Sequence, residues 1–254
     1  MNGPMIRVAD LRKSFRSKKV HDGISFEVRE GETLTVIGGS GSGKSVLLKQ
    51  VVGLIRPDSG GIVIAGQDIT RLDEDGLQAV QKKMGYVFQE AALFDSMTVA
   101  ENVAFGLCSL MDCDAGSAFK IAKQRLSLVG LYDIENLRPS QLSGGMKKRV
   151  GIARAIAMGP EILLYDEPTT GLDPVMSDVV SELILRLKMQ SGTTTIAVTH
   201  DMKSAYKISD RIAMLYEGKI LEIGAPEEIR RSKNPIVQQF ITGSSQGPIP
   251  VPKV

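Results

Sequence analysis

Residues 38–49 constrain the fold more than any other part of this chain. They read GGSGSGKSVLLK, and the pattern G-x-x-x-x-G-K-S runs from Gly38 through Gly43 and Lys44 to Ser45. The apolar stretch TLTVIG before them predicts a buried strand, and the apolar spacing of KSVLLKQVVGL after them predicts a helix. A strand, a glycine-rich turn and a helix start make a cradle for phosphate, because backbone amides and the helix dipole converge on one anion.

The cradle predicts a role for each polar side chain in it. Lys44 is expected to reach β- and γ-phosphates, and the Ser45 hydroxyl to bind magnesium. A Gly/Ser linker that happens to end in Lys-Ser is the alternative, and the strand–turn–helix context argues against it. The candidate phosphate-binding residues are Gly38, Gly39, Ser40, Gly41, Ser42, Gly43, Lys44, Ser45 and Val46.

Composition narrows the class of protein. The chain has 254 residues, 43% of them hydrophobic, and a formal net charge of +2. These values fit an ordinary globular protein and give no signal for binding nucleic acid. Cys108 and Cys113 lack the spacing of a metal site, so a reducing cytoplasm is expected. No apolar stretch is long enough for a signal peptide or a bilayer span, so we expect any membrane association to come through a partner.

Two features near the amino terminus have open interpretations. Phe15 ends the first predicted strand, where an aromatic ring could stack on a nucleobase or could belong to the core. A basic cluster surrounds it, and we expect this cluster to be a solvated face rather than an anion site. Its members are Arg12, Lys13, Arg16, Lys18 and Lys19.

The periodicity changes twice along the chain. Short, partly antiparallel strands dominate up to a strand that ends near Phe88, and Gln89 follows at its carboxyl end, where ligands bind in open α/β sheets. Residues 98–159 are helical in pattern, which predicts an α-helical insertion in an α/β core. Strands return after residue 160. We therefore predict an α/β protein with core segments at about 1–97 and 160–241, and a Pro/Gly-rich tail at 242–254 that is extended or disordered.

Acidic residues and a histidine end two of the later strands. The strand ILLY ends in Asp166-Glu167, where Asp166 could hold phosphate-bound magnesium and Glu167 could polarise an attacking water. His200 ends the strand TTTIAVT and is placed to contact a γ-phosphate or that water. A purely structural or surface role is the alternative for all three.

A second candidate anion site lies in the helical region. Ser143, Gly144 and Gly145 precede the helix MKKRVGIARAIA, and Ser143 is a suitable N-cap. This turn is far along the chain from the phosphate loop. The cationic side chains that follow it, Lys147, Lys148 and Arg149, are expected to form a solvated helix face.

Together these motifs resemble an ABC-type ATPase subunit. The resemblance covers nearly the whole chain and rests on the phosphate loop, Gln89, LSGGM, LLYDEP, GLD and His200. It implies a P-loop NTPase (RecA-like) core with an N-terminal antiparallel β subdomain and an inserted α-helical subdomain. It also implies a homodimer that binds two ATP-Mg²⁺, each held by the phosphate loop of one chain and by Ser143, Gly144 and Gly145 of the other.

The resemblance also assigns roles to single residues. Glu167 is the implied catalytic base, His200 the switch residue and Phe15 the base-stacking aromatic. Lys44 and Gln89 complete the implied catalytic set, while Ser45, Gln89 and Asp166 are the implied magnesium ligands. Asp173 is implied to lie in the dimer-facing loop. The chain departs from the family pattern at Met146, where Gln is usual, and at Phe15, where Tyr is usual.

A narrower resemblance concerns the transported substrate. The strings FQEAALFDSMTVAENV, SGGMKKRVGIARAIA and DEPTTGLDPVMSDVV are similar to the ATPases of Mla/Mce-type phospholipid-trafficking transporters. That family implies a permease resembling MlaE, a lipid-binding Mce protein resembling MlaD and a STAS-domain protein resembling MlaB. It also implies a location on the cytoplasmic face of a bacterial inner membrane, peripheral through the permease, and a contribution to outer-membrane lipid asymmetry.

Other functions remain open at this point. The ATPase of another ABC transporter, such as an amino-acid importer, would carry the same catalytic residues. A non-transport ABC protein that acts as a scaffold or regulator is the second alternative, although the short insertion argues against repair proteins and the single cassette against translation proteins. A small-molecule phosphotransferase fits the phosphate loop but not LSGGM.

Overall fold

A computed structural model describes residues 3–250 of the chain. The chain divides into two compact units. The first unit contains residues 1–72 and 196–254, and the second contains residues 73–195.

The first unit begins with an antiparallel sheet. Its strands are β1 (Ile6–Phe15), β2 (Lys18–Val28), β4 (Ser59–Ile64) and β5 (Gln67–Asp68), in the order β2-β1-β4-β5. Alternate side chains of β1 and β2 face inward and are buried, which is the pattern of a sheet with one covered face. The predicted antiparallel β subdomain is confirmed.

The first unit also contains strands that carry the phosphate loop. They are β3 (Thr33–Ile37), β9 (Arg211–Tyr216), β10 (Lys219–Gly224) and β8 (Thr194–Thr199), of which residues 196–199 lie in this unit, in the order β10-β9-β3-β8. Strand β3 is parallel to β9, and β9 turns back into β10 at Glu217-Gly218. Both turn residues have positive φ, as a tight hairpin requires.

The described residues of the first unit form four helices. Helix α1 (Lys44–Val51) follows β3, and the others are α7 (Met202–Ile208), α8 (Pro226–Arg230) and α9 (Pro235–Thr242). Strands β3 and β9 share a buried apolar cluster with α7, α8 and α9 that includes Ile37, Met214 and Val237. This cluster holds the strand that leads into the phosphate loop.

The second unit is mainly helical. Its elements are α2 (Glu74–Gln81), β6 (Met84–Val87), α3 (Val99–Leu110), α4 (Ala115–Leu128), a short 3-10 helix (Pro139–Gln141), α5 (Gly144–Ala155), β7 (Ile162–Asp166) and α6 (Pro174–Ser191). Strands β6 and β7 pair in parallel. Side-chain caps begin its helices, as Thr98 does for α3, Asp114 for α4 and Asp173 for α6. Residues 98–159 hold α3, α4 and α5, whereas the exact division into core and helical subdomain stays a prediction.

The tail after α9 is held by one side chain. Gln239 Nε2 donates to the carbonyl of Ile249 at 3.1 Å, and the Ile249 amide donates to Gln239 Oε1 at 2.6 Å. The buried Gln239 amide therefore pairs with the backbone at Ile249, within the segment for which we predicted an extended or disordered conformation. Residues 251–254 of the predicted tail lie outside the described residues.

Within residues 3–250, none of the helices combines the length and the apolar character that a bilayer span requires.

Candidate active site

The phosphate loop joins a buried strand to a helix. All five residues of β3 are buried, and α1 begins at Lys44 directly after the loop. The Lys44 side chain folds back along the loop, where its Nζ donates to the carbonyl oxygens of Gly38 at 2.8 Å and Gly39 at 3.1 Å. The sequence-predicted cradle is thus formed as a strand, a turn and a helix start.

The loop has unused capacity for an anion. A Cβ atom added at Gly39 or Gly41 would meet no atom within 4 Å, so these residues border open space. The Ser42 hydroxyl is buried and has no hydrogen-bond partner in the described part of the chain. Buried polar groups are normally paired, so this hydroxyl fits a polar ligand such as a phosphate chain.

A metal ion is expected to accompany a bound phosphate chain, whose oxygen atoms can serve as metal ligands. No group of three or more His, Cys, Asp and Glu among residues 3–250 could hold a metal ion. Mg²⁺ typically takes one or two protein ligands together with phosphate oxygens and water, so the residues present fit Mg²⁺ bound with a nucleotide.

His21 contacts the last residue of the phosphate loop and helix α1, a role that was not predicted from the sequence. The residue is fully buried, with Nε2 3.1 Å from the Gly43 carbonyl oxygen and Nδ1 2.7 Å from Gln50 Oε1. Gly43 has φ +102°, and a Cβ atom there would lie 2.8 Å from His21 Nε2. Burial lowers the pKa of His21 from its ordinary value of 6.5, and both hydrogen bonds oppose that shift.

Phe15 is exposed at the end of β1. Its side chain is 44% exposed, which excludes a core position, and Lys13 Nζ lies 5.4 Å from its ring centroid. An exposed ring with a free face can stack on a base. The other four basic residues of the cluster are exposed, whereas the Lys13 side chain is only 16% exposed. Lys13 pairs with Asp58 and Arg12 pairs with Asp22.

The acidic pair lies at the end of β7 in the second unit. Asp166 is buried and accepts a hydrogen bond from Tyr86 Oη at 3.0 Å. Burial and the charge of Asp166 together raise the pKa of Tyr86, which therefore remains a donor. Glu167 is buried in the left-handed region at φ +49°, and its Oε2 accepts from Thr170 Oγ1 at 2.9 Å. A non-glycine residue in that region is strained and is held there by its contacts.

The prediction of a solvated cationic face on α5 is wrong for two of its three residues. Lys148 is buried, and its Nζ donates to the carbonyl oxygens of Gln89 and Glu167. Arg149 donates to the Gly130 carbonyl at 3.0 Å. Burial lowers the pKa of both groups. The reason is geometric, because α5 packs against α3, α4 and β6 and leaves little of its surface to solvent.

The Ser-Gly-Gly turn opens α5. The Ser143 hydroxyl accepts from the Met146 amide at 3.3 Å, so the cap persists with Met146 where Gln is usual in the family. Ser143 and Gly144 are exposed, and a Cβ atom at Gly144 would meet nothing within 4 Å. Gly145 is buried against Met176. The start of a helix favours an anion through its dipole and its first backbone amides, and the start of α5 is exposed at Ser143 and Gly144.

The remaining candidates divide between the two units. His200 is exposed and directly follows β8 in the first unit, which also holds the phosphate loop and Phe15. Gln89 is exposed directly after β6 in the second unit, which also holds the acidic pair and the Ser-Gly-Gly turn. Lys148 links the segments that carry Gln89 and Glu167.

Comparison with known proteins agrees with the family that the sequence motifs resemble. The family model described as "ABC transporter" matches residues 21–170. A solved dimer of the ATP-binding cassette MJ0796, in a post-hydrolysis state with ADP and Pi, aligns with a TM-score of 0.81 at 31% identity, over 87% of this chain and 99% of that one. The predicted fold class is confirmed, and so is ATPase activity.

Relatives of similar identity carry different names. Protein TRIGALACTOSYLDIACYLGLYCEROL 3 of Arabidopsis thaliana is 43% identical over 96% of this chain and 75% of its own length. The intermembrane phospholipid transport protein MlaF of Haemophilus influenzae is 36% identical over 98% of this chain and 94% of its own length. The L-cystine import protein TcyN of Bacillus subtilis is 42% identical over 93% of this chain and 92% of its own length.

Proposed function

The chain belongs to the ABC transporter family, and from this premise we propose that its ATP hydrolysis drives phospholipid trafficking between an inner and an outer membrane. The observation that supports the ATP part of the proposal is the phosphate loop, with its open glycines, its buried unpaired Ser42 hydroxyl and the Lys44 ammonium. The phospholipid substrate in this proposal is based on sequence similarity to relatives named for lipids.

We assign the chemical roles within each unit as follows. In the first unit, the amides of residues 38–46 and Lys44 bind the phosphates, Ser45 binds the metal, Phe15 stacks on the base and His200 contacts the γ-phosphate. In the second unit, Asp166 and Gln89 supply oxygen ligands, and Glu167 takes the proton of the attacking water. Bound Mg²⁺ supplies charge neutralisation of the phosphates.

We further propose that two chains act together. Ser143 and Gly144 are exposed at the start of α5, so a second chain can reach them. The helix N-terminus there attracts an anion, and the γ-phosphate bound by the other chain's phosphate loop is the anion of matching chemistry. The dimer in which the solved relative MJ0796 was found agrees with this arrangement.

The membrane partner is proposed to be a permease that docks on the second unit. A groove of about 580 Å³ lies between α3 and α4, and Met97, Phe105 and Phe119 are among its lining residues. The rings of Phe94 and Phe105 are both about 40% exposed and lie 4.8 Å apart. Exposed apolar surface of this kind suits a protein partner.

Relatives named for lipids support the substrate. MlaF is named for intermembrane phospholipid transport, and the Arabidopsis protein carries the name of a glycolipid; both align over at least 96% of this chain. On this basis the proposed complex includes an MlaE-like permease, an MlaD-like Mce protein and an MlaB-like STAS protein, on the cytoplasmic face of the inner membrane. Amino-acid import is the second candidate, because TcyN is 42% identical.

A mild-detergent purification of the tagged chain from membranes tests this proposal. Proteins and lipids that copurify are identified by mass spectrometry. A permease, an Mce protein, a small STAS protein and phospholipid are expected. A different permease with a solute-binding protein would overturn the lipid substrate and leave the ATP site intact. Absence of any membrane protein would contradict a transport role.

A further inference from the structure

Side chains on one face of α5 donate hydrogen bonds to the loop that follows β6. Lys148 donates to the Gln89 carbonyl, and Arg154 donates to the carbonyls of Ala91 at 2.5 Å and Ala92 at 2.6 Å. Between them, a Cβ atom at Gly151 would lie 3.3 Å from the Ala91 Cβ. Residues three apart share a helix face, so Lys148, Gly151 and Arg154 act on the loop together, and we call them the α5 clamp.

The loop that accepts these hydrogen bonds has a strained backbone conformation. Ala91 and Ala92 both lie in the left-handed region, at φ +59° and +46°. Glu167, whose carbonyl also accepts from Lys148 at 3.4 Å, has φ +49°. Residues without the freedom of glycine keep this conformation only when their surroundings enforce it. The clamp supplies hydrogen bonds to the carbonyl oxygen of each of these three residues.

The α5 clamp also connects the two loops that carry the proposed catalytic residues Gln89 and Glu167. Gln89 and Glu167 lie on different loops, 78 positions apart in the chain, and Lys148 is bonded to the carbonyl oxygens of both. The same helix begins at Gly144, directly after its cap Ser143, and under the proposed function its first turn binds the nucleotide of a second chain. Lys148 therefore connects the Gln89 loop to the helix that follows the Ser143 turn.

We propose that Lys148 is a positioning residue for ATP hydrolysis, which sets the Glu167 and Gln89 loops at fixed spacing and ties both to the Ser-Gly-Gly helix. This inference rests on the proposed roles of Gln89, Glu167 and Ser143. Lys148 donates hydrogen bonds to backbone carbonyls, and the carboxylates of Glu90, Glu167 and Asp166 interact with its charge, so in this inference it acts through its neighbours and not on the nucleotide.

The test uses the copurified complex and three substitutions. Lys148→Met removes the ammonium and keeps most of the stem, Lys148→Arg keeps a cationic donor, and Lys147→Met is the matched control on the same helix. We expect Lys148→Met to lower kcat about tenfold or more while ATP affinity stays within about twofold, because a small misplacement of catalytic groups costs rate rather than binding. Lys148→Arg should recover part of the rate, and Lys147→Met should match the unmodified chain.

Hydrogen exchange separates positioning from general damage. Amides of residues 89–92 and 167–170 should exchange faster in Lys148→Met and return towards normal in Lys148→Arg. A normal kcat, or a reduced kcat with unchanged exchange in both segments, would overturn the proposal. Equal losses of kcat, ATP affinity and thermal stability in both Lys148 variants would also overturn it, because they indicate a merely structural lysine.

Gly151→Ala provides a second, independent variant. Alanine favours a helix more than glycine does, so this change does not weaken α5 itself. Its Cβ atom presses on Ala91, and we expect faster exchange at 89–92 and a several-fold lower kcat in a protein that remains folded. Unchanged exchange and kcat would contradict the clamp. Glu167→Gln is measured in parallel: fast hydrolysis by that variant would refute the base assignment, whereas the exchange data would still report on Lys148.

Discussion

His21 lies directly beneath Gly43, the last residue of the phosphate loop, with its Nε2 3.1 Å from the Gly43 carbonyl oxygen. Its other ring nitrogen lies 2.7 Å from Gln50 Oε1, on the helix that the loop opens. Gly43 cannot carry a side chain here, because a Cβ atom would lie 2.8 Å from the ring. The histidine therefore joins strand β2, the loop and α1 at one buried point.

We expect His21 and Gln50 to stabilise the protein as a pair. His21→Leu leaves the Gln50 amide buried without its partner and should lower the free energy of unfolding by about 1–3 kcal/mol. Adding Gln50→Leu removes the unpaired amide. The loss of unfolding free energy in the double variant should therefore be smaller than the sum of the two single losses, by about 1 kcal/mol. Denaturant unfolding of all four proteins measures this coupling, and strict additivity would refute it.

The same histidine predicts a pH dependence. Burial lowers the pKa of His21 below its ordinary value of 6.5, so the unfolded chain binds its proton more readily than the folded chain does. The free energy of unfolding should therefore fall as the pH drops below about 6.5. Denaturant titrations between neutral and mildly acidic pH should show a steeper fall for the unmodified protein than for His21→Leu. Parallel curves would contradict the assignment.

Lys44→Ala is expected to weaken ATP binding. The change removes a buried ammonium at the phosphate loop, and a hydrogen bond to a charged group contributes about 1.5–3 kcal/mol, so affinity should fall at least about tenfold. Equilibrium titration with a fluorescent ATP analogue measures it. Lys49→Ala, on the same helix, is the control and should bind normally. An unchanged affinity for Lys44→Ala would refute the cradle.

Phe15→Ala is expected to weaken nucleotide binding to a smaller extent. Loss of a stacked ring should cost about 0.5–1.5 kcal/mol, and Phe15→Tyr, which keeps the ring, should bind as the unmodified chain does. The same titration checks both variants. Equal affinity of Phe15→Ala and Phe15→Tyr would show that the exposed ring does not contact the base.

The local features of the sequence predicted much of the fold. The phosphate loop, the hairpin at Glu217-Gly218 and the helical stretch of residues 98–159 follow from short-range patterns of glycine and apolar spacing. The buried polar side chains that hydrogen-bond to these elements could not be predicted in the same way. Lys148 meets the Gln89 carbonyl 59 residues away, and a lysine in a basic run gives no sign that packing will bury it.

Two further supports escaped prediction for similar reasons. In β2, the side chains of Ile24, Phe26 and Val28 are buried at every second position. A register shift between β1 and β2 separates them from His21, which is buried at an odd-numbered position that this alternation would place at the surface. Asn102 is fully buried in α3, where its side chain bonds to both the amide and the carbonyl of Phe94. A buried polar residue on a helix is recognised only once its partner is known.

ATP-dependent movement of phospholipid by the purified complex in liposomes tests the central claim most directly. A fluorescent phospholipid reports its transfer with and without ATP, for the unmodified chain and for Glu167→Gln. The Glu167→Gln chain keeps its ATP-binding residues and loses the base, so it should bind ATP without turnover. We predict phospholipid transfer that requires ATP and is absent with Glu167→Gln. Steady hydrolysis by the unmodified complex with no phospholipid transfer would contradict the account.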